Sequence, residues 1–153
     1  MTDQRVAPVS AAMEVSSEVP AEDAEAAPGL SSQTVAPPLR AADAREAAAA
    51  FVAKLNPAPS ARAVQDLVLL SSELVTNAIR YAGAVTALSF GADQGALHVR
   101  VADPSPTHPQ CRVPDMSGRT GGFGWPMVLR LASSVTVHRN GSRGKTILAT
   151  MAR

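Results

Sequence analysis

The feature that most constrains the fold is a long helical period that runs from Ser60 to Gly83. Ser caps helix N-termini well, and Gly ends helices in a left-handed turn. Apolar residues recur between these limits at the spacing of one helix face, which predicts a helix packed against a core. Glu73 and Asn77 interrupt the apolar pattern four positions apart, so they lie on the same side of the helix. The segment therefore predicts a core helix that presents two polar side chains together.

The Glu73 and Asn77 pair allows two interpretations. A carboxamide oxygen is a hard ligand suited to Mg²⁺, and a carboxylate beside it can orient or deprotonate a nucleophile. The alternative is an ordinary solvated helix face, on which polar residues need no function. The pair alone leaves both interpretations open.

Other segments with regular periods indicate the fold class. They are helices at 41–55 and 125–132, a hairpin of strands at 85–90 and 96–101, and a hairpin at 134–139 and 145–151. A proline-rich stretch up to about residue 120 has no period and is expected to be a loop. This order predicts an α+β two-layer sandwich, in which helices cover one face of a mixed β-sheet.

Residues 1–38 are rich in Ala, Pro, Ser and Glu and contain five prolines. Such a composition buries too little apolar surface to offset the entropy of ordering, so we expect a disordered tail followed by one domain over 39–153. Residues 1–39 hold six acidic residues against Arg5, so the remaining residues carry the positive charge of the chain. A mildly basic domain is suited to an anionic ligand or partner.

The composition excludes several classes of protein. Cys111 is the only cysteine, so neither an intramolecular disulfide nor a cysteine metal cluster can form. The N-terminus lacks the basic and apolar regions of a signal peptide, and no apolar run has the length of a membrane span. We expect a cytoplasmic protein without a membrane segment. One Trp, one Tyr and no basic helix argue against a nucleic-acid reader.

Two further signals lie in connecting segments. Glycines at 118, 121, 122 and 124 precede a helix, where backbone N–H groups can hold a phosphate or where the chain is simply flexible. Asp103 ends a strand, where it can accept a hydrogen bond from an exocyclic amine or merely start a turn before proline. The tripeptide Gly144-Lys145-Thr146 is not a P-loop, because Arg139 stands where the first glycine belongs and a strand follows.

The order of these elements resembles the GHKL ATPases, the relatives of gyrase, heat-shock chaperones and histidine kinases. The similarity is closer to the anti-sigma factor serine kinases, especially the short, Ala-rich ATP-binding regulators typical of actinobacteria. It covers about residues 40–153, and its most specific part is the stretch SELVTNAIRYA at 72–82. The resemblance implies the Bergerat ATP-binding fold.

The resemblance also implies roles for individual residues, with ATP and Mg²⁺ as cofactors. Asn77 matches the magnesium ligand, Glu73 the general base, Asp103 the reader of the adenine amine, Gly122 and Gly124 the phosphate-wrapping glycines, and Thr146 a residue that supports adenine near Asp103. Arg80 and Lys145 lie close to matched positions and are expected to offset phosphate charge.

The chain departs from the family pattern in two places. The first glycine box of the family reads Asp-x-Gly-x-Gly, whereas residues 103–107 read Asp-Pro-Ser-Pro-Thr. Proline fixes φ and lacks an N–H, so this wall of the site is stiffer and has fewer donors. In the second box Phe123 replaces a basic residue, for which Arg112 and Arg119 are possible substitutes.

The resemblance implies an ATP-dependent serine/threonine kinase that phosphorylates an anti-sigma factor antagonist. The alternative is a nucleotide-binding module that sequesters a partner without phosphoryl transfer, which the altered first box favours. A sigma factor and the antagonist are the implied partners, and the apolar helix surfaces also allow a homodimer. A self-sufficient histidine kinase is not expected, because no phosphoacceptor helix pair precedes residue 60.

Overall fold

The computed structural model describes residues 13–14, 31–109 and 124–153. The strands and helices in these ranges are β1 (Met13–Glu14), β2 (Ser31–Val35), α1 (Ala41–Val52), α2 (Ala61–Ala82), β3 (Ala87–Ala92), β4 (Ala96–Asp103), α3 (Gly124–Leu131), β5 (Ser134–Arg139) and β6 (Lys145–Ala152). A single 3-10 turn at Gly141–Arg143 joins β5 to β6. No helix in the described part of the chain is long and apolar enough to cross a membrane.

The described strands form one sheet in the order β1-β5-β6-β4-β3-β2. Neighbouring strands are antiparallel except at one edge, where β1 runs parallel to β5. Helix α2 packs against β4 and β6 in the middle of the sheet, and α1 and α3 pack against α2. The predicted two-layer α+β sandwich with a mixed sheet is therefore confirmed.

Helix α2 begins and ends where the sequence predicts. Ser60 Oγ accepts a hydrogen bond of 3.1 Å from the backbone N–H of Ala63, which satisfies one of the free donors of the first turn. Gly83 ends the helix with φ of 85°, a conformation that favours glycine. The buried face of α2 consists of Ala63, Leu67, Leu70, Ser71, Ser72, Leu74, Val75 and Ala78. This face supplies much of the core, because it lies over the two central strands.

Strand β4 shows the predicted alternation. Leu97, Val99 and Val101 are buried beneath the helices, whereas His98 and Arg100 lie on the opposite face of the sheet. The same period places the last residue of the strand, Asp103, on the helix-covered face.

The turn between β3 and β4 is stabilised by Asp93. Its Oδ1 accepts hydrogen bonds from the backbone N–H groups of Gly95 and Ala96, at 2.9 and 2.8 Å. Its Oδ2 accepts one from His98 Nε2 at 3.0 Å. The hydrogen bond from His98, followed by those from the two amides, lowers the pKa of the Asp93 carboxyl below its usual value. This network fixes the hairpin that carries Asp103 at its far end.

Strand β2 corrects the predicted extent of the tail. Residues 31–35 pair with β3 from Ser31 opposite Ala92 to Val35 opposite Leu88, inside the segment expected to be disordered. The residues are mostly polar, so their composition does not signal a strand. The strand forms because β3 offers an open edge whose backbone groups need partners. Residues 1–12 and 15–30 of the predicted tail lie outside the described ranges.

Strand β2 also contacts the helical layer. Val35 packs against the core, and Lys54 Nζ donates a hydrogen bond of 3.2 Å to Gln33 Oε1. Pro38, which follows the strand, is buried. The domain therefore includes residues that precede the predicted boundary at 39.

Removing β2 is expected to destabilise the domain. A chain that starts at residue 39 should have a free energy of unfolding about 1–2 kcal/mol lower than one that starts at residue 31, because the burial of Pro38 and the partial burial of Val35 are lost. Urea denaturation of the two chains measures the difference. Equal midpoints would show that β2 contributes nothing to the stability of the sheet.

Candidate functional site

The side chains of Glu73 and Asn77 converge on the first residue of α3. A β-carbon placed at Gly124 would lie 2.7 Å from Glu73 Oε2 and 3.1 Å from Asn77 Oδ1. The first distance is shorter than real contacts of a β-carbon, so a side chain at residue 124 would displace the Glu73 carboxylate from its present position. Both side chains are partly buried. The geometry therefore favours a binding or catalytic site over an ordinary solvated helix face.

A cavity of about 250 Å³ extends from Asn77 across the helix-covered face of the sheet. It lies between the end of α2, the ends of β4 and β6, the start of α3 and the segment 104–109. Its lining residues are Asn77, Ala78, Tyr81, Asp103, Ser105, Thr107, His108, Pro109, Trp125, Lys145 and Ile147. Asn77 contributes both to this cavity and to the cluster at Gly124, so the two features form one continuous site.

A buried ion pair lies at the sheet end of the cavity. Asp103 and Lys145 are directly opposite each other on β4 and β6, and their side chains are 2% and 6% exposed. Lys145 Nζ lies 2.9 Å from each carboxylate oxygen of Asp103. It also donates a hydrogen bond of 3.1 Å to the backbone carbonyl of Ser105. A pair this deeply buried is stable only with such complete hydrogen bonding.

The wall of the cavity after β4 is an ordered turn despite its prolines. The backbone N–H of Ser105 donates to Asp103 Oδ1 at 2.9 Å, and that of Thr107 donates to Ser105 Oγ at 3.3 Å. These are the donors that the prolines at 104 and 106 leave available. The segment through residue 109 has the predicted irregular structure, and the rest of the predicted loop lies outside the described residues.

The structure corrects the placement of Thr146. Its side chain lies on the opposite face of β6 from the cavity, where Oγ1 accepts a hydrogen bond of 2.9 Å from Asn140 Nδ2. Lys145 takes the position beside Asp103 instead. The alternation of Lys145 and Ile147 along β6 contains this information, because residues two apart share a face.

The remaining predicted residues divide into three cases. Lys145 is not free to offset phosphate charge as expected, because Asp103 already neutralises it. Arg80 is exposed, does not line the cavity, and holds its guanidinium carbon 6.0 Å from the ring centroid of Tyr81. Gly122 lies outside the described residues, whereas Gly124 is the first residue of α3.

Three cavity residues lie inside or next to the motif segments, although no role is predicted for them. Tyr81 belongs to the 72–82 stretch, Trp125 follows Gly124, and His108 follows the 103–107 box. The fold brings all three to the same cavity, and Tyr81 is half exposed. The aromatic rings give the site flat apolar surface next to the ion pair.

Gly144 holds the strand ends together. Its φ is 109°, and a β-carbon there would lie 1.9 Å from the carbonyl oxygen of Asp103 and 2.7 Å from Pro104. No side chain fits between these backbone segments. The glycine therefore fixes the approach of β6 to the residue that carries the buried carboxylate.

Substitution of Gly144 should be far more costly than substitution of another left-handed glycine. Gly144→Ala is expected to lower the free energy of unfolding by at least about 3 kcal/mol, since backbone strain and overpacking add. Gly141→Ala is the matched control, because φ is 61° but no atom lies within 4 Å of the new β-carbon. It should cost about 1 kcal/mol. If Gly144→Ala and Gly141→Ala lower the stability equally in thermal or urea denaturation, the result contradicts the proposed importance of the contact between Gly144 and Asp103.

The site resembles one for a phosphorylated ligand with a flat ring system, and comparison with known proteins agrees. No curated protein matches the chain. The family model of the histidine kinase-like ATPase domain matches residues 34–151, which is most of the chain and includes every residue of the site. Domains of this family bind ATP, typically with Mg²⁺. The chain belongs to the family of histidine kinase-like ATPase domains.

Proposed function

We propose that the protein is an anti-sigma-factor-type regulator that binds ATP with Mg²⁺ and phosphorylates a serine or threonine of an antagonist protein. The observation that supports it most is the convergence of Glu73 Oε2 and Asn77 Oδ1 on Gly124. It brings a carboxylate, a neutral oxygen ligand and the backbone at the start of α3 to one point. These are the groups that phosphoryl transfer requires of a protein.

The residues at this end of the site fit a magnesium nucleotide. Asn77 Oδ1 is the atom that would hold the ion, because amide oxygens suit Mg²⁺ and Asn77 also lines the cavity. Gly124 brings the backbone at the start of α3 next to both side chains, and the N-terminus of a helix favours phosphate oxygens. Mg²⁺, when bound, would neutralise charge on the phosphates and so favour departure of the diphosphate.

Glu73 is the residue that would accept the proton in the reaction. In the proposed step its carboxylate takes the proton of the substrate hydroxyl, and the hydroxyl oxygen bonds to the γ-phosphorus of ATP. The bond from that phosphorus to the bridging oxygen breaks, and ADP leaves. Asn77, one helical turn further along α2, keeps the nucleotide within reach of Glu73. The two side chains thus act on one substrate from the same helix face.

A second candidate function is a nucleotide-binding module that sequesters a partner, such as a sigma factor, without phosphoryl transfer. The observation that favours it is the engagement of Asp103 by Lys145, which changes the opposite end of the cavity from the expected arrangement. The two functions differ in whether Glu73 transfers a proton, so a substitution at this residue separates them.

Asn77→Ala is expected to weaken magnesium-dependent ATP binding by at least about tenfold, because the oxygen ligand is removed. Calorimetric titration with ATP, with and without Mg²⁺, measures the loss. The control is Thr76→Ala on the same helix, where the side chain is exposed and its Oγ1 donates to the carbonyl of Ser72. Normal magnesium-dependent binding by Asn77→Ala would rule out the proposed ligand.

Glu73→Gln should reduce phosphoryl transfer by at least about 100-fold while ATP affinity changes little, because Gln keeps the shape but cannot accept a proton. Labelled ATP and a panel of candidate antagonist proteins provide the assay. The control is Glu46→Gln, an exposed position on α1. If the wild type binds ATP but phosphorylates none of the panel, the module without phosphoryl transfer becomes the better description.

A further inference from the structure

The carboxylate of Asp103 can accept few further hydrogen bonds from a ligand. Oδ1 accepts hydrogen bonds from the backbone N–H of Ser105 and from Lys145 Nζ, each at 2.9 Å. Oδ2 lies 2.9 Å from the same ammonium group. A carboxylate offers about four lone-pair sites, two on each oxygen. One acceptor site on Oδ2 therefore remains for any group that enters the cavity.

Lys145 is engaged by the same groups. Of its three protons, Nζ donates one to Asp103 Oδ1 and one to the carbonyl of Ser105, and Oδ2 lies 2.9 Å from the ammonium group. Both side chains are almost fully buried, which strengthens these interactions. The carboxylate and the ammonium group are therefore paired before any ligand is present.

The backbone on both sides keeps the pair in place. Ser105 binds Asp103 through its N–H and Lys145 through its carbonyl oxygen. Gly144, next to Lys145, packs against the backbone of Asp103 and Pro104 with no space for a β-carbon. The two strand ends and the turn after β4 thus hold the ion pair as one unit at the inner end of the cavity.

We propose that Lys145 sets the base selectivity of the cavity: its ammonium group competes with the exocyclic amine of adenine for Asp103, so the protein binds ATP weakly and barely distinguishes it from 6-oxopurine nucleotides. The proposal rests on the nucleotide-binding function proposed above. An amine that uses the remaining site on Oδ2 gains little, because Lys145 already neutralises the carboxylate. A carbonyl oxygen at the same ring position can accept from the ammonium proton of Lys145 that is donated neither to Asp103 Oδ1 nor to Ser105.

The position of Lys145 on β6 makes the proposal testable by one substitution. Its side chain is the cross-strand neighbour of Asp103, so a short hydroxyl residue there can still donate one hydrogen bond to the carboxylate. Lys145→Thr therefore frees acceptor sites on Asp103 without leaving it unpartnered. Threonine also suits a strand.

The experiment is calorimetric titration of the full chain with magnesium ATP and magnesium ITP, which differ only in the group at position 6 of the purine and the proton at N1. The wild type should bind the two with dissociation constants within about threefold of each other. Lys145→Thr should bind ATP at least about tenfold more tightly and ITP no better, since the amine gains a charged acceptor. The control is Lys54→Thr, which removes the exposed lysine that contacts Gln33.

The outcomes separate this inference from the nucleotide-binding function itself. A wild type that prefers ATP to ITP more than tenfold overturns the inference, and this measurement needs no variant. A folded Lys145→Thr that binds ATP no tighter than the wild type also overturns the inference on selectivity. In that case ATP binding by the wild type and by the variant still supports the proposed nucleotide-binding function. ATP binding by Lys145→Thr alone supports the inference and overturns ATP binding by the natural chain. Absence of binding in both overturns both proposals.

Discussion

The packing of α2 on the middle of the sheet is the contact on which the rest of the structure depends. Its apolar face lies over β4 and β6, and the other two helices reach the sheet layer largely through their contact with α2. Glu73 and Asn77 lie on the same helix at the side that faces α3. The core and the candidate site are therefore parts of one rigid element. A helix held by buried leucine side chains positions polar groups more accurately than a surface loop does.

The site combines two electrostatic environments within one cavity. At the Gly124 end, a partly buried carboxylate and an amide oxygen lie against the backbone at the start of α3, which suits a metal ion and phosphate groups. At the sheet end, the Asp103 carboxylate is neutralised by Lys145 in a nearly dry environment. Removal of either partner of such a pair typically costs about 3–5 kcal/mol, because an uncompensated charge remains buried. The same pair thus contributes to the stability of the fold and to the chemistry of the cavity.

The sequence predicts most of the architecture because local signals agree with the tertiary contacts. Ser60, Gly83 and the alternation along β4 each have a local physical cause, and the structure retains them. Strand β2 escapes prediction because its residues carry no apolar period and its partner edge exists only in the folded sheet. The pairing of Glu73 with Asn77 follows from helix geometry, whereas their approach to Gly124 requires the fold. The expected place of Thr146 beside adenine is wrong for a different reason. Side chains along β6 alternate between the faces of the sheet, so Lys145 and Ile147 face the cavity and Thr146 faces away from it.

The contact at Gly144 also affects how sequences of this kind are interpreted. The glycine is required because the backbone of Asp103 and Pro104 occupies the space where a side chain would lie, whether or not a ligand is bound. A relative that had lost nucleotide binding altogether would still need it to bring the two strand ends together. A glycine retained at this point of the fold therefore reflects strand packing, and by itself it gives no information on whether a domain has kept its chemistry.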